Sequence, residues 1–177
     1  LEPLDYWPAN AQRVMSNEGC NASTTGLNAA DYTTITPAAR LPWNFNNHTV
    51  PGAWTVSQGQ GISIGVIDAG ISSSQALLNG SFNDGESNVG RTVSTDYTLG
   101  SSAFNSCYHG TAMSGLAAGP RNTLNATTGV AYKSNLHFIR ACNDVMLDAS
   151  SERTAVKNAC VRMGDRADID VISMSIG

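Results

Sequence analysis

The sequence predicts an α/β fold: a three-layer domain with a mostly parallel sheet and helices on both faces. Three observations predict it. Three short runs rich in β-branched and apolar residues, Ile62–Ile67, Leu136–Ala141 and Asp170–Ser175, read as buried strands. Two segments of helical character, His109–Ala118 and 152–164, alternate with them in the order strand, helix, strand, helix, strand. The chain is 177 residues long and 41% hydrophobic, enough for one domain with a sizeable core.

The elements follow in order. Residues 1–42 are polar, with little apolar periodicity, and read as an N-terminal extension packed on a domain spanning 43–177. Trp7, Trp43 and Trp54 are expected to pin this part to the core. Gly59-Gln60-Gly61 and Asp68-Ala69-Gly70 supply turn residues at the two ends of the first strand. Residues 71–105 are rich in Ser, Asn, Asp and Gly and predict loops, with a short strand near Arg91–Ser94. In the helix His109–Ala118, Ala112, Met113, Leu116 and Ala117 are expected to form the apolar face, and Gly119-Pro120 stops it. Gly129-Val130-Ala131 leads into the second strand. In the helix 152–164, Ala155, Ala159 and Met163 fall at i, i+4 and i+8, with Val156 and Cys160 beside them.

Charge and composition narrow the partners. Charged residues make up only 14% of the chain, the net charge is -4, and the pI is about 5.2. No basic field exists to hold a phosphate backbone, which argues against nucleic acid. No apolar run approaches the ~18 residues of a membrane span. The chain begins Leu1-Glu2-Pro3 without Met or a signal pattern and reads as a mature or trimmed end. Loops filled with Ser, Thr, Asn and Gly lean toward a secreted, extracellular protein. Cys20, Cys107, Cys142 and Cys160 include no C-x-x-C pair, so zinc is not indicated. They are either buried thiols or two disulfides in one of three connectivities, with Cys142–Cys160 the first expectation. Asn21, Asn47, Asn79 and Asn125 begin glycosylation sequons.

The chemistry centres on two residues. Asp68 closes the first strand, and in open parallel sheets ligands gather at such C-terminal strand ends. By position alone it is either catalytic or a turn cap. His109 opens a helix, where the positive end of the dipole favours the neutral ring that a general base needs. A buried carboxylate beside it would orient that ring. Gly61–Gly65 matches G-x-S-x-G, but it lies within a strand and not on a strand-to-helix turn, so it is not a nucleophile elbow. No G-x-G-x-x-G follows the first strand, which argues against a dinucleotide. His48 reads as a surface loop residue and His137 as a satisfied core histidine.

Four segments carry a family resemblance. Val66-Ile67-Asp68-Ala69-Gly70-Ile71 resembles the aspartate motif of the subtilisin-like serine proteases, the subtilases, with Ala69 where Thr is usual. His109-Gly110-Thr111-Ala112-Met113-Ser114-Gly115 resembles their H-G-T-H-V-A-G motif, with Ala112 in place of a second His. Gly129-Val130-Ala131-Tyr132 is similar to their G-V-A-P, and Val171–Gly177 to their V-I-N-M-S-L-G strand. Trp54 and Gly59-Gln60-Gly61 resemble the usual lead-in.

The resemblance covers about residues 43–177, in the family's order, and implies the N-terminal half of a subtilisin-like catalytic domain. It implies a serine endopeptidase with Asp68 and His109 as catalytic residues and a polypeptide as substrate. Ser175, Ile176 and Gly177 would bind that substrate through their backbone, with Cys142 to Val145 as the opposite rim. No cofactor is needed for catalysis. A structural calcium ion is possible in the loop Arg121–Thr128, with Asn122 and Asn125 as ligands. The family's serine lies in a G-T-S-M-A motif that these residues lack. The C-terminal half is therefore expected as a companion chain or an omitted segment, and this chain alone is expected to be inactive. The alternative is an inactive peptide-binding module.

Overall fold

The computed structural model describes residues 32–35, 39–71, 90–105, 107, 109–121 and 127–177. In chain order the elements are β1 (Tyr32–Ile35), β2 (Ala39–Pro42), α1 (Trp43–Asn47), α2 (Val50–Ala53), β3 (Ser63–Asp68) and β4 (Val93–Tyr97). Then come α3 (His109–Ala118), β5 (Asn135–Arg140), α4 (Ser150–Gly164) and β6 (Val171–Met174). The main sheet has the order β4-β5-β3-β6, and every neighbouring pair is parallel. The β-branched run of β3 therefore lies between two strands, pairing Val66 with Phe138 on one side and with Ser173 on the other.

Side chains alternate between the faces of a strand, and two core layers follow. Val66, Leu136 and Phe138 pack with Ala118 of α3 on one face. Ile67 and Ile139 pack with Ala155, Ala159 and Met163 of α4 on the other. The three-layer α/β arrangement read from the sequence is the one observed, and the face predicted for α4 is the buried one. Among the described residues no helix is long and apolar enough to cross a membrane.

Several local expectations are corrected. The buried face of α3 is Gly110, Thr111, Ser114, Gly115 and Ala118, whereas Leu116 is exposed. The helix lies too close to the sheet for large side chains, so its small residues turn inward. β6 was expected to be buried, yet all four of its residues are exposed, including Val171, Ile172 and Met174. It is an edge strand, and among the described residues only β3 pairs with it. The predicted short strand falls slightly later, at Val93–Tyr97.

Before β3 the sequence reading contains no regular element, but β1 and β2 form an antiparallel pair. Ala39 and Leu41 are buried, and Leu41 joins Phe45 and Trp54 in a small separate core. The β1–β2 pair and the five- and four-residue helices α1 and α2 are too short to show periodicity. Trp54 is anchored as expected: its Nε1–H donates to the Val130 carbonyl at 2.8 Å and its ring meets Tyr132 edge-on. Trp43 is 58% exposed, so it is not the anchor expected, while Trp7 lies outside the described residues.

The expected Cys142–Cys160 bridge is absent, since both are free thiols. Cys142 is buried with Ala69 and Cys107 beyond the end of β5, whereas Cys160 packs on the α4 side with its sulfur 3.6 Å from that of Met174. His48 is exposed, as expected. His137 is buried, with Ser94 Oγ 2.5 Å from its Nδ1, as the core reading requires.

Candidate active site

Asp68 ends β3 at the C-terminal edge of the sheet and is completely buried. Its main chain is held by the parallel ladder, which continues where Ala141 N–H donates to the Asp68 carbonyl at 3.0 Å. Its carboxylate Oδ1 accepts the Ala69 N–H at 2.7 Å and lies 2.9 Å from His109 Nδ1. A carboxylate only accepts, so Nδ1 carries the donated proton and Nε2 is left for the cleft. Oδ2 is buried with no hydrogen-bond partner. At this position Ala69 offers no hydroxyl to meet it.

Close backbone contact makes the 2.9 Å pairing possible. Gly70 has φ 136°, and a Cβ there would come 2.5 Å from that of Asn105. This lets the chain turn sharply after Asp68. Asn105 secures the turn, donating from Nδ2 to the Ala69 carbonyl at 3.0 Å and from its backbone N–H to Ile71 at 3.1 Å. Sequence reasoning missed Asn105, because no local signal separates it from the other loop asparagines. On the helix side, a Cβ on Gly110 would collide with the Gly70 carbonyl oxygen and come 2.9 Å from the Phe138 ring. Only glycine allows α3 to start this close to the β3 turn, and that closeness delivers His109 to Asp68.

His109 opens on a cleft of about 430 Å³ lined also by Val145, Met146, Met174, Ser175, Ile176 and Gly177. The three residues expected as one wall thus share a cleft with His109. Of the segment expected as the opposite rim, Val145 lines this cleft, and Met146 beside it does so too. Cys142, placed on that rim by the sequence reading, is instead fully buried beneath it. Its burial, aided by the charges of Asp68, Glu152 and Asp144, pushes the thiol up to about 12. Glu152 of α4 anchors both ends of the rim loop, accepting the Asn143 N–H at 2.9 Å and the Ala149 N–H at 3.2 Å. Asn122 and Asn125 lie outside the described residues. Among the described residues there is no cluster of three or more His, Cys, Asp or Glu side chains able to hold a metal.

The sequence pattern that defines the subtilase family matches residues 59–177. Thermitase of Thermoactinomyces vulgaris is 29% identical over 127 residues, covering 72% of this chain and 41% of thermitase. The crystal structure of MycP1 from Mycobacterium smegmatis superposes with a TM-score of 0.53 at 17% identity, covering 80% of this chain and 38% of MycP1. That likeness concerns the fold alone. The chain spans about two fifths of the length of each of these relatives. With the family pattern extending over most of the chain and the sheet matching its architecture, the chain belongs to the subtilase family.

Proposed function

We propose that these residues supply the Asp–His arm of a subtilisin-type serine endopeptidase whose nucleophilic serine lies outside this chain. The observation that carries the reading is the 2.9 Å His109–Asp68 pair, buried on the carboxylate side and facing a cleft on the imidazole side. Asp68 holds His109 in the tautomer that leaves Nε2 as the base. His109 takes the serine proton as the hydroxyl attacks the peptide carbonyl, then gives it to the leaving amine. Water then attacks the acyl-enzyme by the same route in reverse. Asp68 stays ionised and stabilises the imidazolium that forms at each step.

Extended polypeptide is the substrate in this reading, bound along the backbone of Ser175–Gly177. A structural calcium ion at Asn122 and Asn125 is part of the same proposal and takes no part in the chemistry. The exposed apolar edge of β6 supports a C-terminal half that continues the sheet, because a bare edge of this kind favours strand addition. This chain on its own would bind but not hydrolyse. A secreted location is part of the same reading, and Asn47, the one sequon asparagine among the described residues, is exposed as a glycan site must be.

The test is fluorophosphonate labelling of the full-length protein. A serine outside these residues should label, and His109→Ala should cut labelling and turnover by roughly 10⁴- to 10⁶-fold. Unchanged turnover in that variant, or no labelling of the unsubstituted protein, refutes the reading.

A further inference from the structure

The two walls of the cleft are bonded to each other. Gly177 N–H donates to the Val145 carbonyl at 2.9 Å, and Leu147 N–H donates to the Gly177 carbonyl at 2.9 Å. Both backbone polar groups of Gly177 are therefore in use. A strand adds to an edge only where N–H and C=O groups are unpaired. At Gly177 the rim segment Val145–Leu147 already sits where an added strand would pair.

We infer that Val145–Leu147 is a strap that closes the far end of the cleft and that an extended peptide must open. The inference rests on the proposed role of the Ser175–Gly177 backbone in binding substrate. The construction of the loop suits a strap. Its ends are held by the buried Glu152 carboxylate at Asn143 and Ala149, which keeps the loop attached at both ends when its middle moves. The Leu147 carbonyl is also tied, accepting from Arg153 Nη1 at 2.6 Å. Val145, Met146 and Leu147 are only partly buried, so they lie at the surface, where movement displaces little core. Leu147 does pack beside Ile176, which links the strap to the wall through side chains as well as backbone.

The consequence is selectivity by substrate length. A short acyl substrate that reaches His109 without extending to Gly177 leaves the strap shut. A longer peptide must exchange its own backbone bonds for those of the strap, and it pairs with Gly177 only in the open population.

The experiment compares an N-acetyl tetrapeptide p-nitroanilide with the single-residue N-acetyl ester of the same terminal residue, in the full-length protein. Leu147→Pro removes one strap donor. The ratio of tetrapeptide to ester kcat/KM should rise three- to tenfold, tenfold being 1.4 kcal/mol. In the unsubstituted protein, the Leu147 and Gly177 amides should be protected from hydrogen exchange, and the Leu147 amide should lose protection when the tetrapeptide is present. A flat ratio in folded Leu147→Pro overturns the strap while ester turnover leaves the protease reading standing. If that variant does not fold, free-peptide exchange rates at both amides overturn it equally. No ester turnover in the unsubstituted protein refutes the protease reading and the strap with it.

Discussion

Gly110→Ala tests the close approach on which the candidate site depends. The added Cβ would overlap the Gly70 carbonyl oxygen and come 2.9 Å from two carbons of the Phe138 ring. Comfortable carbon contacts begin near ~3.5 Å. Neither obstacle is a flexible side-chain tip: one is the backbone of the β3 turn, and the other is a ring buried to 1% exposure. The start of α3 must therefore retreat, by on the order of an ångström. Overpacking of this kind costs about 1–3 kcal/mol. With a urea dependence of about 2 kcal/mol per molar, a 2 kcal/mol loss lowers the unfolding midpoint by about 1 M. His109 is the neighbouring residue, so its 2.9 Å bond to Asp68 lengthens with the retreat. A misplacement of about 1 Å costs a catalytic group on the order of 10²-fold in rate.

Urea titration of the chain measures the first effect, and kcat of the full-length protein the second. Gly52→Ala is the control, because a Cβ there meets nothing within 4 Å. A Gly110→Ala midpoint as high as that of the control would refute the argument that glycine sets the distance between α3 and the sheet.

Two further outcomes follow from the cores. Burial pushes the Cys142 thiol up to about 12, while Cys160 is partly exposed. Iodoacetamide at pH 8 should modify Cys160 first and leave Cys142 intact until the chain unfolds, and mass spectrometry of the two peptides reads the order. Equal labelling of the folded chain would show that Cys142 is accessible from the cleft. His137 is held below its ordinary value by burial and by the Arg166 charge, against the opposing pull of Asp168. Its unfolded form therefore binds protons first, so its contribution to stability is present above about pH 6.5 and is lost as pH falls through the lower folded value. Asp168 stays ionised through this window because its hydrogen bond to Arg166 holds it at about 2. Urea midpoints should drop between pH 7 and pH 5, and His137→Gln should flatten that drop. An equal drop in the variant would assign the pH dependence to other groups.

Much of the fold was legible along the chain because its signals are local. The β-branched run of β3 and the repeat of Ala155, Ala159 and Met163 each declare a buried face within one element. The motifs around Asp68 and His109 identified the family before any geometry was known. Failures came where burial depends on a neighbour. Leu116 looked like core and is exposed, while Thr111 and Ser114 are fully buried, because the closeness of α3 to the sheet decides which residues fit beneath it. β6 has the composition of an interior strand, and among the described residues only β3 pairs with it.

By itself, then, the amino-acid order determined the three strands and two long helices of the main domain, their alternation, and which two side chains are candidates for catalysis, but not the short elements before β3. Only the tertiary structure decided that those two meet, that Asn105 and Gly110 hold them together, and that the rim bonds across the cleft to Gly177. The physical reason is range. Hydrophobic periodicity and turn chemistry act over a few residues, whereas the pairing of Asp68 with His109 spans 41 residues and depends on the packing of α3 against a sheet assembled from distant strands.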